Sequence, residues 1–147
     1  MYNVGYRITG SEEDAEDVLQ EAFISAFRHL DSYRGDASFG SWVKRIVVNK
    51  AINLLKKRKL ELIQDNEELD VPIEETEEEY LPELSVSKVR QCIELLPDGY
   101  RSVLSLYLIE GYDHQEISEI MGITESTSKS QLNRAKNKLK ELLLKPI

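Results

Sequence analysis

The stretch Ser38–Lys59, SFGSWVKRIVVNKAINLLKKRK, carries Phe39, Trp42, Val43, Ile46 and Val47 at helical spacing, and Ala51 and Leu54 continue the stripe as it drifts. This predicts one helix of about six turns, with Ser38 as its N-cap. Arg45, Asn49, Ile52 and Lys56 share the face turned away from the stripe. Lys50 falls near the apolar side and reads as a long stem laid along it with its ammonium in water. Upstream, Tyr2, Val4, Tyr6 and Ile8 predict the last two turns of a helix that Gly10 ends. Ser11-Glu12-Glu13-Asp14 resembles a capping box. The helix it opens runs to about Leu30, with Ala15, Val18, Leu19, Ala22, Phe23, Ala26, Phe27 and Leu30 on one face. Its other face carries Glu16, Asp17, Gln20, Glu21 and Arg28, and a loop, Asp31–Ala37, follows.

Helical patterning resumes near Val86. Val89, Ile93 and Leu96 form a short stripe closed by Pro97-Asp98-Gly99; Val103, Leu104, Tyr107 and Leu108 form the next, closed by Gly111. Two helices around a tight turn come last. Asp113 caps the first, Ile117, Ile120 and Met121 point inward, and Gly122 supplies the left-handed residue of the turn. Thr124 caps the second, which buries Leu132, Ala135, Leu139, Leu142 and Leu143 and ends near Leu144. With no strand-like alternation of any length, the expected fold class is all-α.

Composition changes this picture at one place. The formal net charge of the 147 residues is -8, which on its face argues against a nucleic-acid partner. Yet residues 61–83 hold eleven acids and no base, leaving 16 acids against 19 bases elsewhere. Local fields decide binding, because charges are screened beyond about 8 Å at physiological salt. The acidic stretch, with Pro72 and Pro82, reads as a solvated linker. The chain thus divides into a domain at 1–60, a linker at 61–85 and a second domain at 86–147. The linker's carboxylates could also fold back over the basic helix and compete with DNA, although a plain spacer is the simpler reading. No apolar run is long enough to span a membrane, and the N-terminus lacks the apolar core of a secretory signal. Cys92, the single cysteine, excludes an intrachain disulfide and a cysteine zinc cage, and fits a reduced, cytoplasmic setting.

Two segments carry candidate chemistry. Ser38–Lys59 bears Lys44, Arg45, Lys50, Lys56, Lys57, Arg58 and Lys59 and no acid, so one side is built for burial and the other for something negative. The last helix exposes Ser126, Ser130, Asn133, Arg134 and Asn137, flanked by Thr127 and Lys129. Small polar and basic side chains there suit a major groove. Hydroxyls and amides at its start can hold phosphate, Arg134 can read a guanine edge, and Lys129 is better placed for phosphate. An ordinary solvated face is the plainer alternative. A helical carboxylate metalloenzyme fails on ligands, because neither His29 nor His114 follows a Glu by three positions.

Taken in order, these segments resemble a bacterial RNA polymerase sigma factor of the sigma-70 family, extracytoplasmic function (ECF) subfamily. Asp14-Ala15-Glu16-Asp17-Val18-Leu19-Gln20-Glu21-Ala22-Phe23 is similar to the helix that grips the polymerase clamp. Tyr33-Arg34-Gly35-Asp36-Ala37-Ser38-Phe39 resembles the loop that captures a flipped base of the minus-ten element, and Trp42 with Arg45-Ile46-Val47-Val48-Asn49 the helix after it. Leu96-Pro97 through the helix-turn-helix resembles the domain that reads the minus-thirty-five element.

The resemblance implies a protein that binds core RNA polymerase, directs it to promoters and helps open the duplex, with no cofactor and no enzymatic activity of its own. It assigns Tyr33, Arg34, Asp36, Ser38, Phe39, Trp42, Arg45, Asn49 and Lys56 to the minus-ten element. It assigns Thr124, Ser126, Thr127, Lys129, Ser130, Asn133 and Arg134 to the minus-thirty-five element, and Asp14, Asp17, Gln20, Glu21 and Phe23 to polymerase. Phe39 and Trp42 also fit as core residues, Asn49 as a helix brace, and the acids of the second helix as a solvated face. A helix-turn-helix regulator that recruits no polymerase is the alternative; it explains Asp113–Leu144 but not Ser38–Lys59. Anti-sigma partners are common in the family.

Two departures from the family pattern stand out. Its first helix is longer than the stretch before Gly10; the shortening is expected to expose Phe23, Ala26 and Phe27, weakening polymerase binding or favouring dimerisation. Ser128 lies on the buried side of the last helix, where the family often has a β-branched apolar residue.

Overall fold

The computed structural model describes residues 1–62 and 85–144. The acidic linker and its proposed fold-back lie outside the described residues, as does the side chain of Lys59. The chain divides into two compact units, Met1–Asp65 and Asn66–Ile147. Among the described residues every regular element is helical, and none is long and apolar enough to cross a membrane.

The first unit holds α1 (Tyr2–Thr9), α2 (Glu12–Arg28) and α3 (Phe39–Leu62), each packed on the other two. Gly10 ends α1 at φ 74, and its N–H donates to Tyr6 O at 2.8 Å. Ser11 Oγ accepts from the Asp14 N–H at 3.4 Å and so caps α2. A 3-10 turn, Leu30–Ser32, leaves α2 for the loop. The core is Val4 and Ile8 of α1, Ala15, Val18, Ala22 and Ala26 of α2, and Val43, Val47, Val48, Ala51 and Ile52 of α3.

Two expected stripes need correction. On α2 only the small residues are buried; Phe23, Phe27 and Leu30 are exposed, as is Ile24, while Ala26 is buried. The cause is a close helix approach: a Cβ added to Gly5 of α1 would lie 3.7 Å from Ala15 Cα, so the larger side chains are left outside. On α3 the buried arc is turned toward Val48 and Ile52, because α1 and α2 both pack on it. Ile52 therefore faces the core, not solvent, and Phe39 at the other edge of the stripe is 47% exposed.

The second unit holds α4 (Val86–Glu94), α5 (Asp98–Leu104), α6 (His114–Met121) and α7 (Glu125–Leu144). Helices α4, α5 and α6 each pack on α7. Leu96, Leu104 and Ala135 form a core cluster with Ile93, Tyr100, Leu139 and Leu142 against it. The expected Pro97-Asp98-Gly99 break is instead the start of α5. Pro97 O accepts from the Arg101 N–H at 2.9 Å, and Asp98 opens the helix where its charge suits the dipole. The Arg101 side chain is buried, donating to Leu96 O at 3.1 Å and pairing with Asp98 at 2.5 Å.

The stripe expected through Leu108 also fails, since Leu108 is exposed. After Leu104 the helix widens to a π-helical stretch, Ser105–Ile109. The added residue per turn shifts the phase, burying Leu106 and turning Leu108 and Ile109 outward. The helix-turn-helix follows the sequence reading closely. Asp113 and Glu116 form a capping box, Gly122 sits at φ 69, and Thr124 Oγ1 accepts from the Thr127 N–H at 3.0 Å.

Candidate nucleic-acid interface

At the head of α3 three aromatic rings meet. Tyr33 and Phe39 pack edge to face with centroids 5.6 Å apart, Tyr33 and Trp42 lie at 5.3 Å, and Phe39 and Trp42 at 5.7 Å. Gly35, at φ 80, lets the loop turn where a side chain would be strained. The loop is tied shut by Tyr33 Oη, which donates to Ala37 O at 2.6 Å. Arg34 and Asp36 at its tip are exposed. Ser38 Oγ accepts from the Ser41 N–H at 3.2 Å and donates to Ser41 Oγ at 2.8 Å, so this hydroxyl serves as the predicted cap.

Such a cluster offers an open aromatic face at the end of a basic rod, the pairing that single-stranded nucleic acid favours. Phe39 is too exposed to be a plain core residue, and Trp42 is half-buried. Farther along α3, Asn49 and Lys56 are exposed. Asn49 lies mid-helix, away from any terminus it could cap. Arg45 is half-buried and has an intramolecular partner.

On α7, Ser126, Thr127, Lys129 and Asn133 are exposed and Ser130 and Arg134 half-buried, Arg134 with an intramolecular partner. Thr124 Oγ1 donates to Thr127 Oγ1 at 2.8 Å, so the two hydroxyls are engaged with each other at the helix start. The polar face is continuous and faces away from the buried row Ser128, Leu132 and Ala135.

On α2, Asp17, Gln20 and Glu21 are exposed and Phe23 is half so, with Ile24 and Phe27 exposed on the same side. Asp14 stands apart. Its carboxylate pairs with Arg58 of α3, and Arg58 Nη1 also donates to Thr9 O at 3.5 Å. The structure thus gives Asp14 a partner within the chain and withdraws Arg58 from the free cations of the basic helix.

Sequence reasoning missed three features: the Asp14–Arg58 pair, the exposure of Ile24 and Phe27, and a polar contact between α6 and α7. In the last, His114 Nδ1 and Ser128 Oγ share a hydrogen bond at 2.8 Å, and the imidazole stacks on Tyr107 at 4.6 Å. Only the oddity of a serine on a buried face pointed to it.

Comparison with known proteins agrees with this geometry. Residues 1–61 match the model of sigma-70 region 2, and residues 87–139 that of sigma-70, region 4. The chain is 32% identical over 154 residues to the ECF RNA polymerase sigma factor SigW of Bacillus subtilis (strain 168), covering 97% of this chain and 82% of that protein. It is 35% identical over 145 residues to the ECF RNA polymerase sigma-E factor of Escherichia coli (strain K12), covering 88% and 76%. The fold is shared with the sigma factor RpoE solved with the anti-sigma factor NepR from Bartonella quintana. That superposition has a TM-score of 0.64 at 22% identity, over 97% of this chain and 88% of that one. The chain therefore belongs to the sigma-70 family, as an ECF RNA polymerase sigma factor.

Proposed function

We propose that this chain acts as an ECF sigma factor in the full sense: it binds core RNA polymerase, carries it to a set of promoters and assists opening of the duplex. It is an initiation factor with no reaction of its own, working in the cytoplasm beside polymerase. Tyr33, Phe39 and Trp42 receive an unstacked base of the minus-ten element, with Arg34, Asp36, Asn49 and Lys56 along its path. Drawing a base from the stack costs a few kcal/mol, which stacking on aromatic rings, at about 1–3 kcal/mol per base, can offset. The exposed start of α7 enters the major groove of the minus-thirty-five element through Ser126, Thr127, Lys129 and Asn133. The mixed acidic and apolar face of α2, led by Asp17, Gln20, Glu21 and Phe23, meets polymerase, and an anti-sigma factor competes for such surfaces.

The observation that carries this reading is the three-ring cluster, exposed at the head of a base-rich helix. A duplex-binding repressor has no use for it. Purified chain added to core polymerase should yield promoter-dependent run-off transcripts that core alone does not make. Transcription no greater than that of core alone contradicts the proposal.

A further inference from the structure

From the contact between His114 and Ser128 we infer that this pair sets the rotation of α7 about its own axis, and thereby which side chains reach the base edges of the minus-thirty-five element. The inference rests on the reading of α7 given above and adds to it a pair of positioning residues that make no contact with DNA themselves.

The remaining contacts between α6 and α7 are largely apolar: Ile117 and Ile120 on one side and Leu132 on the other are buried. Apolar contact is non-directional and tolerates a roll of one helix against the next. The turn Gly122-Ile123-Thr124 fixes where α7 begins but not how it is rolled. A hydrogen bond is directional. The bond from Ser128 Oγ to His114 Nδ1, at 2.8 Å, joins the first turn of α7 to the first residue of α6.

Ser128 is fully buried, so its hydroxyl has no water to turn to. Because a hydroxyl both donates and accepts, the bond forms with either neutral tautomer of the imidazole. The imidazole is held in turn: it lies 4.6 Å from the Tyr107 ring at an interplanar angle of 19°. Tyr107 belongs to the π-helical stretch, so the phase shift there presents this ring to His114.

The geometry sets the scale of the effect. A side-chain tip stands about 5–6 Å from its helix axis, so a roll of about 20° moves it by about 2 Å. That is the difference between a base-edge hydrogen bond made and lost. Thr127 and Lys129 flank Ser128 directly and are exposed, so a roll about Ser128 moves them first.

The test uses full-length chain assembled with core polymerase. Two promoters sharing one minus-ten element are compared, one with a matched and one with a scrambled minus-thirty-five element. The variants are His114→Phe, which keeps a ring against Tyr107 and removes the nitrogen, Ser128→Ala, and the two combined. Each single variant should lower the ratio of matched to scrambled binding by about tenfold, as an unpaired buried group implies. Scrambled-promoter binding should stay unchanged, and the double variant should lose no more than either single one.

An unchanged ratio overturns the inference, and so do additive losses, which would mean that the two residues act separately. An equal fall on both promoters overturns it too, since the pair would then only hold the fold. Should His114→Phe fail to fold, by loss of helical circular dichroism, Ser128→Ala alone decides between these outcomes, because it removes a single oxygen. If wild-type protein itself does not distinguish the promoters, the reading of α7 fails and this inference falls with it.

Discussion

Phe39 decides how the minus-ten surface is read. A residue 47% exposed contributes little to the core, so Phe39→Ala should leave thermal stability within about 1 kcal/mol of wild type. The same change removes a stacking partner and should weaken binding of the holoenzyme to a single-stranded minus-ten oligonucleotide by about tenfold or more. A melting curve and a fluorescence titration separate the two effects. Asp14 makes the opposite case. Its pair with Arg58 is partly exposed, side chains 24% and 34%, so screening holds the coupling to about 0.2–1 kcal/mol. A double-mutant cycle on Asp14→Asn and Arg58→Gln should give a coupling in that range, and polymerase affinity should follow stability with no separate loss. Asp14 was visible in the sequence only as one acid in a row. Its partner is 44 positions away, and no local pattern connects the two.

At the scale of elements, what could be read in advance divides by whether the signal is local. Asp113, Glu116, Gly122 and Thr124 are local punctuation, and the helix-turn-helix formed at the residues they marked. Replacing Asp113 with Ala should lower stability by about 1 kcal/mol, the usual worth of an N-cap, as chemical denaturation would show. The burial of α2 depends on a partner and was misread. Its large apolar residues looked like the core, yet the Gly5–Ala15 approach buries alanines instead. Ala22 is fully buried in that seam, so Ala22→Leu should overpack it and cost about 1–3 kcal/mol. A loss below about 0.5 kcal/mol in the same denaturation assay would mean that the helices are farther apart than described. The π-helical stretch had no sequence signature at all, since it reflects the packing of Leu106 and Tyr107 and not a propensity.

For the whole molecule, the net charge of -8 misleads and the distribution informs. The bases of α3 and α7 stand on surfaces free of the acidic run at 61–83 in sequence, so promoter binding should be strongly salt-dependent in spite of an acidic chain. Lys129→Ala should reduce the slope of log affinity against log salt by about one counterion without relaxing sequence preference.

The account stands on the aromatic cluster holding a base that has left the duplex. Permanganate reactivity of minus-ten thymines in complexes of holoenzyme with duplex promoter reports that event directly. Wild-type protein should open the promoter. A Phe39→Ala, Trp42→Ala double variant should bind the same duplex through α7, yet leave those thymines at least about tenfold less reactive if stacking supplies the expected energy. Equal reactivity in the two complexes would contradict the account.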